Sequence, residues 1–157
     1  MSIFDRLAAE WKLADVRPDD RETEQAFAMF ENRFARELPS DMREFYQRFN
    51  GLLDMDADLN RVWPLDELDT VPAIVDTYAG TPYYSGIAKR LPDAHEYFAF
   101  ADHSIWVCVY AVRLTDNVSS SGPVVGISDG KTFHILSNTF LEFWDRYLAT
   151  PERTLFP

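Results

Sequence analysis

Cysteine is almost absent from this chain. The single one, Cys108, leaves no partner for an internal disulfide and suits a reducing compartment. Long apolar runs are missing too, since the longest, Ile105 to Val112, has eight residues and is too short to cross a bilayer. The first residues lack the basic segment and apolar stretch of a secretory signal. These absences point to a soluble cytoplasmic protein. The three histidines, His95, His103 and His134, do not stand at zinc-ligand spacing, and the six glycines form no phosphate-binding loop. Positive charge is short as well. Fifteen Lys and Arg face 26 Asp and Glu for a formal net charge of −11, so no basic stripe for nucleic acid is present.

What the chain does have is apolar and aromatic bulk. At 46% hydrophobic and 15% aromatic it is far from a disordered composition, and 157 residues suit one domain with a substantial core. The negative charge is concentrated. Residues 54–76 carry seven carboxylates and one arginine, which is more than half of the net charge in 23 residues. Such a field repels nucleic acid and anionic membrane and accelerates encounter with a basic partner, although acidic surfaces also serve solubility alone.

Periodicity predicts helices first. Ile3, Phe4, Leu7, Ala8 and Trp11 share one face of a helix over 2–14, and Asp15–Asp20 breaks it. A second helix over about 21–37 carries Phe27, Phe30, Phe34 and Leu38. Leu38-Pro39-Ser40 starts a third, with Met42, Phe45, Tyr46 and Phe49, which Asn50-Gly51 caps. Residues 54–69 read as irregular with a short strand near Arg61–Trp63, and Pro72 opens a short helix. Gly80 to Gly86 is a loop with Tyr83 and Tyr84 at its tip. Strands follow at 97–100 and 105–114 around a turn at Asp102-His103. Because the longer run is apolar on both sides, it predicts a central strand covered on both faces. A hairpin at 124–136 turns on Ser128 to Lys131, and a last helix with Phe140, Leu141, Trp144, Tyr147 and Leu148 is capped by Ser137 or Asn138 and ended by Pro151. Helices, then strands, then a helix give an α+β fold with a largely antiparallel sheet.

Several segments then resemble one family. They are Arg17-Pro18, a helix ending at Leu38-Pro39-Ser40-Asp41, Phe45-Tyr46 before Asn50-Gly51, Trp63-Pro64-Leu65-Asp66-Glu67-Leu68, Phe98 to His103 leading to Tyr110–Leu114, and Asp129-Gly130 leading to Phe140–Trp144. Together they resemble the SUKH superfamily, the Smi–Knr-like group, over residues 17–150, with a separate N-terminal helix (1–16) and a long insertion at about 71–95. The resemblance implies one domain over 1–157 with no catalytic residue. It also implies immunity against polymorphic toxins, many of them nucleic-acid-targeting, or regulation through protein contacts.

Candidate chemistry is thin. Asp102-His103-Ser104 supplies three hydrolase residue types, but neighbours on a strand point apart and form no triad. Cys108 reads as a core thiol of low reactivity. Asp54-Met55-Asp56-Ala57-Asp58 starts like a calcium loop, yet Leu59 and Leu65 occupy the glycine and glutamate positions, so no metal site is assigned. No cofactor is assigned either. The expected partner is a protein with a basic surface, with neither nucleic acid nor membrane. Candidate contact residues are Asp54, Asp56, Asp58, Trp63, Asp66, Glu67, Asp69, Asp76, Tyr83 and Tyr84. Trp63 reads equally as an interface anchor or as core, and the tyrosines offer contact area at low entropic cost. Two other classes stay open: a cellular regulatory or scaffold module, and an enzyme or small-molecule pocket lined by His103, Tyr83 and Asp102.

Overall fold

The computed structural model of the chain describes residues 1–13, 20–52, 54–80 and 83–150. The connection expected at Asp15–Asp20 lies, apart from Asp20, outside them, as do Thr81, Pro82 and Pro151. The first helix, α1 (Ile3–Glu10), opens with a capping box, in which Ser2 and Asp5 each accept the other's backbone N–H. Helix α2 (Asp20–Phe34) stops earlier than its periodicity predicts, because Ala35 turns left-handed at φ 49°. Leu38 is therefore buried from the connection and not from the helix. Helix α3 (Ser40–Arg48) starts after Pro39 as expected. It ends at an extended Phe49, so Asn50-Gly51 is not its cap, and Gly51 instead crosses close against the backbone of Val62–Pro64.

Among the described residues six strands form one antiparallel sheet: β1 (Asn60–Val62), β2 (Asp69–Thr70), β3 (Tyr97–His103), β4 (Cys108–Arg113), β5 (Val124–Ile127) and β6 (Phe133–Ser137). Their order is β1-β3-β4-β5-β6, with β2 also pairing along β3. Short helices α4 (Val71–Thr77) and α5 (Ile87–Arg90) lie between β2 and β3, and α6 (Phe140–Ala149) closes the fold from a Thr139 cap instead of Ser137 or Asn138. The α+β architecture expected from the element order is the one observed.

A β-bulge between Ala99 and Ala101 interrupts the alternation of β3, so that Phe98 and Phe100 share one face and Asp102 lies on the other. On one face Phe98 meets Phe30 and Phe34 of α2, while Phe100 meets Phe140, Phe143 and Trp144 of α6. On the other face lie Asp102, Trp63 and Trp106, covered by Tyr78 and Tyr84 from the 71–95 segment. Strand β4, which carries the long apolar run, is buried along Cys108–Val112 on both faces as that run predicts, and Tyr78 and Tyr84 of the 71–95 insertion cover Trp106 beside it.

Helix α1 is part of this core. Phe4 and Leu7 are buried, Trp11 packs edge-on against Trp144, and its indole N–H donates to the Tyr147 hydroxyl at 3.0 Å. Arg48 grips Asp5, and this hydrogen-bonded guanidinium holds the Asp5 carboxyl down at about 2. A lowered folded-state pKa stabilises above the ordinary carboxylate value and loses that contribution as pH falls through the folded one. Asp5→Asn is therefore expected to flatten the part of the stability profile between about pH 4 and pH 2, read by thermal unfolding across that range. A profile identical to wild type would contradict the pairing.

Candidate protein-interaction site

Antiparallel pairing brings the start of β1, the end of β3, the start of β4 and the β5–β6 turn to one end of the sheet. The 54–59 loop there is built by Asp56. One of its carboxylate oxygens accepts the Asp58 and Asn60 backbone N–H groups, both at 2.9 Å, and the other accepts the Tyr147 hydroxyl. Leu59 follows in a left-handed conformation, half-exposed, with its carbonyl accepting Ser104 N–H at 2.9 Å. Asn60 reaches the His103 ring at 3.0 Å.

The neighbouring turn overturns one expectation. Ile105–Val107 do not begin the strand, and Asp102-His103 are not the turn. Strand β3 runs on through His103, and Ser104, Ile105 and Trp106 take successive left-handed conformations at φ 50°, 55° and 67°. Asp102, 2% exposed, fixes this turn from beneath by accepting the Trp63 indole N–H at 2.6 Å and Trp106 N–H at 3.2 Å. The Trp106 ring stacks on Tyr78 at 4.3 Å and on Trp63 at 5.4 Å, and the Tyr84 hydroxyl donates to its carbonyl at 2.6 Å. With Trp106 held inward, Ile105 is left 70% exposed and Val107 43%. Tyr83 stands 73% exposed, its carbonyl accepting Gly130 N–H at 2.9 Å beside the β5–β6 turn.

The ten sequence-predicted contact residues divide. Asp54 is exposed and Asp58 half-buried at this end, with Tyr83. Asp56 is occupied in building the loop. Glu67 pairs with Arg61 at 2.8 Å and Asp69 with Arg33 at 2.5 Å, while exposed Asp66 precedes Glu67 in a short turn off the end of β1 and exposed Asp76 sits on α4. The acidic segment is thus continuous in sequence but not one patch in space. Trp63 and Tyr84 require correction, since both are core residues that present no ring to a partner. Trp63 is drawn in by Asp102 and Trp106, and Tyr84 by the carbonyls of Trp106 and Ile127. The exposed apolar residues Leu59, Ile105 and Val107 escape sequence reasoning. An apolar run predicts burial, and periodicity carries no signal for a run of left-handed backbone.

His103 and Asp102 point to opposite faces of β3, and Ser104 starts the left-handed turn. Burial pushes the His103 ring below its ordinary value and the Cys108 thiol up to about 12, which leaves that thiol un-ionised at neutral pH. A small cavity is lined by Asn60, Val62, Ala101, Tyr110, Phe143, Trp144 and Tyr147, and none of the expected pocket residues His103, Tyr83 and Asp102 lines it. Among the described residues no three His, Cys, Asp or Glu side chains converge as metal ligands, and no helix is long and apolar enough to cross a membrane.

Compared with known proteins, the chain matches no curated protein and no solved structure. The sequence model of the SMI1 / KNR4 family (SUKH-1) matches residues 22–146, which hold α3, α4, α5, all six strands, and most of α2 and α6. The chain belongs to the SMI1 / KNR4 family (SUKH-1).

Proposed function

We propose that this chain is a non-catalytic protein-binding domain of the immunity type, acting in the cytoplasm as one unit over residues 1–157. In this reading it binds and neutralises a toxin domain with a basic surface, such as one that targets nucleic acid. Family membership supports a toxin-immunity or regulatory role. The observation that carries the reading further is the sheet end, where exposed apolar side chains stand beside the carboxylates of the 54–59 loop. Charged surroundings speed encounter and apolar centres hold the complex, which is the division of labour in tight interfaces.

The test is co-expression with a candidate toxin domain from the neighbourhood of this gene. Protection of the host and a purified complex are expected. The association rate is expected to fall by about tenfold or more between low salt and 0.5 M salt, because steering charges are screened beyond a few ångströms there. Neither protection nor a complex would end the immunity reading and leave regulation of a cellular protein as its successor.

A further inference from the structure

Of the eleven large apolar side chains exposed among the described residues, five gather at one end of the sheet: Met55, Leu59, Tyr83, Ile105 and Val107. They belong to three separate segments, so the sequence gives no hint that they meet. Topology and two backbone hydrogen bonds bring them together, Ser104 N–H to Leu59 carbonyl and Gly130 N–H to Tyr83 carbonyl. We propose that this end of the sheet is the docking face, and that its occupant is a cationic protein surface whose apolar protrusion seats on Leu59, Ile105 and Val107. The proposal rests on the protein-binding reading above and adds where, and against what chemistry, binding occurs.

Two features argue for a retained surface and not an incidental one. The turn holds three successive non-glycine residues in the left-handed region, and Ile105 is β-branched, the class of residue least suited to it. Its side chain is mostly in water, so the fold draws little burial from keeping isoleucine there. Glycine or asparagine would fit the backbone better. Charge then selects the partner. The 54–59 loop and the 104–107 turn contain Asp54, Asp56 and Asp58 and no Lys or Arg, and Lys131 is the one cation in the adjoining β5–β6 turn. A second copy of this acidic chain would bring like charges together, whereas a basic surface is complementary.

Ile105→Asn separates fold from binding, since asparagine enters the left-handed region readily. Its melting temperature is expected to equal or exceed that of wild type, while a residue kept for the fold alone would lower it. A random peptide library panned on the full chain tests the face without a natural partner. Enriched peptides are expected to combine Lys or Arg with a bulky apolar residue and to bind at least tenfold more weakly to Ile105→Asn and Leu59→Ser. They should bind several-fold more weakly to Asp54→Asn and equally well to Asp76→Asn. No enriched binder, peptides without cations, or undiminished affinity for both Ile105→Asn and Leu59→Ser overturns the face. The candidate toxin domain separates the two claims. If it binds wild type and both apolar variants alike, the docking face fails and the immunity reading stands. If it does not bind while the peptides behave as expected, the immunity reading fails and the docking face stands.

Discussion

Trp144→Ala is expected to lower stability by about 4 kcal/mol, within the range for truncating a large buried aromatic. The Trp144 ring stacks on Phe45 of α3 with centroids 5.2 Å apart and planes 5° apart. Its other contacts are edge-on, with Trp11 beyond α1, Phe100 of β3, and Phe140, Phe143 and Tyr147 of its own helix. Alanine there removes the ring that joins α1, α3 and α6 to the sheet, and a pile of rigid rings collapses poorly into the hole. Against a total of about 5–15 kcal/mol for a domain, that loss leaves a marginal protein. Trp144→Phe makes the finer test. The indole N–H is buried and has no hydrogen-bond partner among the described residues, and such a donor costs about 1–3 kcal/mol. Phenylalanine deletes the unpaired donor along with part of the ring, so its loss should be under half that of alanine. Urea unfolding of the three proteins reads both differences from the midpoints at constant slope. Equal losses for Phe and Ala would refute the role given to the unpaired N–H.

Much of this architecture is legible in the sequence. The stripes Phe4-Leu7, Phe27-Phe30-Phe34 and Phe140-Trp144-Tyr147 predict helices because a 3.6-residue period leaves one apolar face. The doubly apolar run in 108–112 predicts a strand covered twice. Misreadings fall where backbone conformation departs from what side-chain pattern encodes. Ala35, Leu59, Ser104, Ile105 and Trp106 all take positive φ without being glycine, and nothing in their identities announces it. The 104–107 turn exists because Asp102, Trp63, Tyr78 and Tyr84, scattered over 40 residues of chain, converge on Trp106. Tertiary contacts of that span override local preference.

The candidate site was legible in its charge and not in its shape. Counting carboxylates finds the 54–76 segment, but a count cannot foresee that Arg61 and Arg33 neutralise Glu67 and Asp69, or that Asp56 is spent on turning its own loop. Nor does it show which aromatic faces outward. Tyr83 and Tyr84 are adjacent and chemically identical, yet one is 73% exposed and the other 1%, because only Tyr84 reaches inward to the carbonyls of Trp106 and Ile127. Sequence reasoning could find the pair but not choose between its members.

Gly51→Ala is expected to cost about 3 kcal/mol or more. Gly51 has φ +75°, where a Cβ alone costs about 1–2 kcal/mol. The added methyl would also stand 2.6 Å from the Val62 carbonyl oxygen and 2.7 Å from Trp63 C and Pro64 N, all backbone atoms that cannot rotate away. Relief requires the 62–64 chain to move. That chain is held by Leu52 N–H on the Val62 carbonyl at 2.9 Å, by Trp63 N–H on the Phe100 carbonyl at 2.8 Å, and by the Tyr46 hydroxyl on the Trp63 carbonyl at 3.2 Å. Displacing Trp63 pulls its indole from Asp102, and Asp102 is what anchors the Trp106 N–H. The same variant should therefore loosen the 104–107 turn, so that the Trp106 amide exchanges hydrogen faster than global unfolding alone explains. Asn50→Ala is the control. It removes only the side-chain acceptor of Leu65 N–H at 3.1 Å and should cost about 1 kcal/mol with normal exchange at Trp106. A Gly51→Ala loss no larger than that of the control would mean the crossing yields without strain, and the link from this glycine to the exposed turn would be broken.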